Sequence, residues 1–338
     1  MSTTDSGAVL VPGPWEHRFV TANGTRLHVA EAGEGPLVLL VHGFPQFWWT
    51  WRRALPAIAD AGFRVAALDL RGHGASDKPP TGYDAATMAA DLASLVRSLG
   101  STDATIVGHG LGAWLAWAMP QLHPEVTRAV GALAMPHPRL LTWPSLSWRF
   151  ARRGWAGRAP AWGVAGRTPA TLRLAEPAVL ESSLHAWAAP GSTWPSTEVV
   201  SRYSSALSLP FAARSATEAH RWLATASLRP SGRALLTRVA QPVDVPVVHL
   251  HGQDDPLLSA ARAERSAGLT RAGYEWHLLP RVGHFVQEEA PAATVELLVD
   301  WLRRRAARPQ AAQRPVPTGT LADAAVASTG RSSSSVSA

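Results

Sequence analysis

Short apolar runs alternate with helix-like segments along most of this chain, and this alternation limits the possible fold more than any other feature. The run over residues 36–42 is apolar up to its last residue, His42, as expected of a strand that is covered on both faces. Similar runs recur over residues 64–70, 103–108, 128–134, 245–251 and 275–279. The alternation predicts an α/β fold in which helices cover both faces of a mostly parallel, doubly wound sheet.

Two extended runs precede the alternation, over residues 17–22 and 26–30, and they are joined at Asn23-Gly24. Both residues of an Asn-Gly pair accept a positive φ, so the pair predicts a β-hairpin. Further along, Asp84 is a candidate N-cap for an amphipathic helix over residues 84–99.

The alternation divides the chain into regions. It stops over residues 137–233, which are rich in Trp, Arg, Pro and Ala and contain helix-like pieces. We predict an inserted helical cap there, between two parts of one α/β core at residues 12–136 and 234–307. Residues 1–11 are predicted to be a flexible terminus. Residues 308–338 have the Pro, Ser, Ala and Gly content of a disordered tail.

Composition excludes several classes of function. The chain has no cysteine, so it forms neither disulfides nor thiolate metal sites. Its net charge of +7 comes almost entirely from arginine, with Lys78 the only lysine. The predicted cap has twelve Arg and four Glu. No zinc-ligand spacing, RNA-binding aromatic motif or helix-turn-helix pattern accompanies this charge, so we predict no nucleic-acid partner and no metal or other cofactor. An anionic surface remains a minor alternative as a partner.

The sequence also lacks membrane signals. Its first residues are not a secretory signal, and no apolar stretch approaches the roughly 20 residues that span a bilayer. The prediction is a cytoplasmic protein without a transmembrane segment.

Residues that follow the apolar runs should converge, because the carboxyl ends of parallel strands meet at one edge of a sheet. The sequence VGHGLG, which follows the third run, resembles a nucleophile elbow, in which small residues permit a sharp turn from strand to helix. The position expected for the nucleophile holds Gly110, which has no attacking atom. Later in the chain, Asp255 and His284 follow the last two runs, where a carboxylate could orient a histidine that acts as a base.

These motifs together resemble the α/β-hydrolase fold, and within it the branch of epoxide hydrolases and haloalkane dehalogenases. The most specific matches are His42-Gly43-Phe44-Pro45 and the run from Asp69 to Pro79, which fits the pattern D-x-R-G-x-G-x-S-D-K-P. The order of elbow, cap, acid and histidine also agrees.

The resemblance implies a mechanism and a set of site residues. An elbow aspartate would form an ester with the substrate, and a histidine–carboxylate pair would activate the water that hydrolyses it. The pair would be His284 and Asp255, and the oxyanion would receive the N–H groups of Phe44 and Leu111. Tyr203 resembles one of the two cap tyrosines that polarise an epoxide, and the second has no match. His42 and His109 are further candidate contacts of the substrate.

Three hypotheses of function follow. We favour a pseudoenzyme that binds a small molecule or a partner in the cap cleft, because Gly110 supplies no nucleophile. The alternative is a hydrolase or lyase-type enzyme that uses the His284–Asp255 pair as a general base without a covalent intermediate. A further alternative is an epoxide or ester hydrolase with a displaced nucleophile.

Overall fold

The computed structural model describes residues 6–141 and 173–306, and an eight-stranded sheet forms their centre. The strands are β1 (Glu16–Ala22), β2 (Thr25–Ala32), β3 (Leu37–Val41), β4 (Arg64–Leu68), β5 (Ala104–His109), β6 (Thr127–Leu133), β7 (Val247–Gly252) and β8 (Tyr274–Leu279). They lie in the order β1-β2-β4-β3-β5-β6-β7-β8. Pairing is antiparallel from β1 to β4 and parallel from β4 to β8. The α/β prediction is confirmed.

Helices flank this sheet. They are α1 (Ala54–Asp60), α2 (Ala85–Ser98), α3 (Leu111–Leu122), α4 (Pro177–Trp187), α5 (Thr197–Ser208), α6 (Ala212–Thr225), α7 (Pro230–Val239), α8 (Ala260–Glu264), α9 (Val286–Glu289) and α10 (Pro291–Ala306). Asp84 caps α2 as predicted, because its side chain accepts the Thr87 N–H at 2.9 Å. Between β3 and β4 the chain forms a 3-10 turn, Trp48–Trp51, and then α1.

The predicted hairpin is confirmed. Asn23 and Gly24 have φ values of 48° and 72°, which places both residues of the turn in the left-handed region. The strands on either side pair from Ala22 with Thr25 outward.

The region predicted as a cap contributes α4, α5, α6 and the first turn of α7, which continues into the predicted core as far as Val239. Residues 142–172 of this region lie outside the described residues, as do residues 1–5 and the whole of the predicted tail at 308–338. The proposed domain boundaries therefore stay a prediction.

The N-terminal segment differs from its prediction. Val9 is fully buried, and its carbonyl accepts the indole N–H of Trp48 at 2.8 Å. The Val11 carbonyl accepts the indole N–H of Trp15 at 2.9 Å. The prediction of a flexible terminus is therefore wrong for residues 6–11. A buried indole N–H requires an acceptor, and these backbone carbonyls supply it.

Strand order determines where a crevice opens. The central strand β3 lies between β4 and β5. After β3 the chain adds β4 on one side of it, and then β5 on the opposite side. In open α/β sheets, ligands bind at the carboxyl ends of the strands where the order reverses in this way. Every residue of β3 and β5 is buried, which fixes the position of the loops that follow them.

Candidate active site

The turn between β5 and α3 is tight. Gly110 has φ 53° and ψ −116°, a conformation that residues with a side chain rarely adopt. A Cβ on Gly108 would clash with the Gly112 carbonyl, and one on Gly112 would clash with the Val41 carbonyl. Glycine at these two positions lets α3 approach the ends of β3 and β5 closely. The sequence pattern therefore does form a sharp strand-to-helix turn.

This turn directs position 110 at the predicted base. A Cβ added to Gly110 would lie 3.6 Å from His284 Nε2 and 3.7 Å from the Gly43 Cα, both ordinary van der Waals distances. The elbow and the histidine, which are 174 positions apart in the chain, are thus brought together.

His284 and Asp255 form the predicted pair. The His284 Nδ1 lies 2.9 Å from Asp255 Oδ2. The other carboxylate oxygen accepts the N–H groups of Leu257 and Leu258, at 2.8 and 3.0 Å. Burial would raise the pKa of Asp255, but the charge and hydrogen bond of His284, with further donors, hold it below its usual value. The acid is therefore an anion that accepts the Nδ1 hydrogen of His284, and Nε2 of the same ring faces Gly110.

The predicted oxyanion donors flank the same turn. Leu111 is the first residue of α3, and its N–H has no acceptor among the residues that the structure describes. Phe44 follows β3, and its ring packs 6.4 Å from that of Trp187 and 5.2 Å from that of His220, both in the cap region. The N-terminus of a helix favours negative charge, so an oxyanion beside Leu111 would be stabilised.

His109 and His42 brace the site from within the protein. His109 Nε2 lies 2.9 Å from the carbonyl of His284, and its Nδ1 lies 2.8 Å from Gln46 Oε1, so the ring lies between two oxygens of the protein. His42 donates from Nδ1 to the Gly43 carbonyl at 2.8 Å and accepts the Leu70 N–H at 3.1 Å. Because protein groups occupy all four ring nitrogens, these contacts support bracing. The predicted contacts with substrate stay predictions that this geometry does not favour.

Burial of neutral His109 predicts acid sensitivity. Burial, and then the nearby His284, lower the pKa of His109 to about 3. Between about pH 6.5 and 3 the unfolded chain binds a proton that the folded state does not. The free energy of unfolding therefore decreases by up to about 1.4 kcal/mol for each unit by which the pH is lowered. We expect His109→Gln to reduce the stability lost between about pH 7 and 5 by roughly 2 kcal/mol. Urea unfolding at both pH values measures this difference.

The same substitution at exposed His185 is the control for that experiment. An equal loss of stability on acidification in the His109→Gln variant and the wild type would contradict the assigned neutral state.

A model of the alpha/beta hydrolase fold family matches residues 36–291. The chain belongs to the α/β-hydrolase fold family. This α/β-hydrolase is 30% identical over 316 residues to epoxide hydrolase A of Mycobacterium tuberculosis. The match covers 84% of this chain and 96% of that protein. It is also 41% identical over 128 residues to bifunctional epoxide hydrolase 2 of Sus scrofa, but the match covers only 37% of this chain and 23% of that protein.

Solved structures agree with the sequence relatives. The crystal structure of epoxide hydrolase A from Mycobacterium thermoresistibile aligns with a TM-score of 0.73 and 28% identity, over 86% of this chain and 98% of that chain. The predicted resemblance to epoxide hydrolases is therefore confirmed at the level of homology.

The structure gives Tyr203 of this α/β-hydrolase a packing role. The side chain is fully buried, and its hydroxyl donates to Glu288 at 2.6 Å. Arg52 contacts the same carboxylate with two nitrogens, at 2.9 and 3.1 Å. These contacts join α5 to the core beside the His284 loop, and they do not support the substrate contact predicted for Tyr203. Sequence reasoning missed Glu288 and Arg52, whose partners lie far away in the chain.

The substitution Tyr203→Phe distinguishes a packing role of the hydroxyl from a contact with substrate. We expect a loss of roughly 1–3 kcal/mol in unfolding free energy, because Glu288 loses a buried donor. The kcat/KM of any activity should stay within a factor of about three, far less than the loss of a polarising acid causes. Chemical denaturation and steady-state kinetics measure the two quantities. Unchanged stability together with a large fall in kcat/KM would instead indicate a contact with substrate.

Within residues 6–141 and 173–306, no helix is long and apolar enough to cross a membrane. No group of three or more His, Cys, Asp or Glu side chains in these ranges is arranged to hold a metal ion. The cytoplasmic location and the lack of a cofactor stay predictions.

Proposed function

We propose that this α/β-hydrolase cleaves a carboxylic ester by direct attack of water, without a covalent intermediate. The observation that carries the proposal is the position of His284 Nε2, 3.6 Å from where a side chain on Gly110 would begin, with its Nδ1 on Asp255. In an epoxide hydrolase that uses an elbow aspartate, the same histidine activates water toward an ester carbonyl at this position. With glycine there, the acyl group of a substrate can take that place.

The steps follow from the groups present. His284 Nε2 takes a proton from water as the water oxygen attacks the acyl carbon, and Asp255 stabilises the imidazolium. The carbonyl oxygen becomes an oxyanion that receives the N–H groups of Leu111 and Phe44. The bond to the alkoxy oxygen then breaks, and His284 returns the proton to the leaving alcohol. The products are a carboxylic acid and an alcohol.

A displaced enzyme nucleophile has little support among the described residues. Glu289 lies near His284, but its carboxylate accepts the N–H groups of Ala189, Gly283 and Phe285, at 2.8 to 3.0 Å. The Glu288 carboxylate is held by Tyr203 and Arg52. Attack by either carboxylate would require these buried contacts to break.

The test is hydrolysis of a panel of nitrophenyl esters and chromogenic epoxides, with intact-mass analysis of quenched enzyme. The proposal predicts ester turnover without a covalent adduct. An acyl or alkyl adduct on the wild-type protein would overturn it in favour of a displaced nucleophile.

A binding protein remains the second candidate, because Gly110 has no attacking atom. The relatives named epoxide hydrolases also keep oxiranes among the compounds to test. Absence of turnover with the whole panel, together with saturable binding of a compound in the cleft, would favour the binding role.

A further inference from the structure

The space beside Gly110 is a small polar site at the end of the sheet. The Gly43 Cα and His284 Nε2 border it, and neither is closer than 3.6 Å to the position of a Cβ on Gly110. We propose that this space binds a carboxylate group, which is carried by a ligand instead of by the chain. The ligand is an organic acid, either free or as one end of a larger molecule.

Two independent features favour an anion with two acceptor oxygens. First, α3 begins here, has 12 residues, and presents the Leu111 N–H, which has no acceptor within the described part of the chain. Helix N-termini of this kind bind carboxylates and phosphates. Second, the His284 side chain is only 5% exposed, points into the same space, and has Nε2 without a protein partner among the described residues.

Charge balance predicts that a proton accompanies the ligand. The Asp255 anion lies 2.9 Å behind the imidazole, so a second carboxylate at Nε2 is favourable only when His284 is an imidazolium that donates to both. The other titratable groups around His284 do not supply the positive charge that would offset the two carboxylates. His109 is neutral, and Glu289 is occupied by backbone N–H groups. His251, 3.6 Å from Asp255, donates to the Leu258 carbonyl. Binding therefore takes up a proton and strengthens as the pH falls.

Size distinguishes the two sources of the carboxylate. A free small acid fills only the space at Gly110, so acetate should bind at least as tightly as longer acids. A carboxylate at one end of a larger molecule gains from apolar contact with Phe44 and Trp187, whose rings lie 6.4 Å apart at the boundary of core and cap region. Phenylbutanoate should then bind more tightly than acetate.

This inference concerns the place that the proposed function gives to the acyl group, but it does not require turnover. If ester hydrolysis occurs, the ligand is its acid product. If hydrolysis is not detected, carboxylate binding stands as a separate result. The binding experiment and the hydrolysis experiment can therefore fail independently of each other.

The experiment titrates the full chain, labelled with ¹⁵N at histidine, with sodium acetate at constant ionic strength set by chloride. We expect saturable shifts of the His284 nitrogens and an acetate affinity that strengthens as the pH falls, because binding takes up a proton. Acetamide, a neutral molecule of the same shape, should not bind.

Two variants serve as matched controls. Gly110→Asp fills the site with a carboxylate on the chain, and His284→Gln keeps a donor to Asp255 but cannot carry the proton. Each should weaken acetate binding at least tenfold while the circular dichroism spectrum stays unchanged. Equal affinity in Gly110→Asp and wild type, or no saturable shift with any acid below neutral pH, would overturn the proposal.

Discussion

Gly110→Asp is expected to give the protein an epoxide hydrolase activity that proceeds through an alkyl-enzyme ester. The Cβ of the new side chain would lie 3.6 Å from His284 Nε2, at the N-terminus of α3, beside the proposed base and oxyanion donors. Removing a nucleophile from an assembled site costs several orders of magnitude in rate, so restoring one should raise epoxide turnover by roughly 10³-fold. Water supplies the proton for the opened epoxide oxygen, because the Tyr203 hydroxyl is held by Glu288. The positive φ of this turn adds about 1–3 kcal/mol of strain, which a stable fold can tolerate.

Isotope and mass measurements identify the mechanism of the variant. In a single turnover in H₂¹⁸O, the diol should contain the oxygen of the aspartate, and the label should enter the protein instead. A second variant that combines Gly110→Asp with His284→Gln should accumulate the alkyl adduct, because no base activates water to release it. Gly110→Asn has the same shape without a carboxylate and should gain no activity. A folded Gly110→Asp protein that forms no adduct would contradict the assignment of this turn as a functional elbow.

His284→Gln is expected to lower wild-type ester hydrolysis by roughly 10²- to 10⁴-fold, the usual contribution of a positioned general base. Asp255→Asn should also lower the rate, because an amide can present an N–H to Nδ1 and so turn the protonated nitrogen toward the substrate. Steady-state kinetics on one nitrophenyl ester measures both changes. His185→Gln is the matched control, since this histidine is exposed on α4. If His284→Gln hydrolysed the ester as fast as wild type, the proposed mechanism would be wrong.

The elbow, the acid and the base could be predicted from the sequence because each depends on local signals at strand ends. Gly108, Gly110 and Gly112 form one short motif, and Asp255 and His284 each follow an apolar run. Parallel pairing then brings these loops to one edge, which is a property of the sheet and not of any individual residue. The contact of His284 with Asp255 at 2.9 Å follows from that arrangement.

The roles of Tyr203, His109 and the N-terminal segment could not be predicted in this way. Tyr203 meets Glu288 across 85 residues, and His109 meets His284 across 175. No periodicity or spacing reports which distant acceptor a buried hydroxyl or imidazole will find. The requirement to satisfy buried polar groups acts only once the chain has packed, and in the packed chain these side chains contact other parts of the protein.

The sequence by itself determined the order of strands and helices, the sharp turn at Gly110 and the lack of an attacking atom there, because these depend on residue type and short-range pattern. Tertiary structure decided what surrounds that glycine. It brought His284 Nε2 and the first N–H of α3 to the same small space, since only the packed sheet fixes distances between loops that are far apart in the chain.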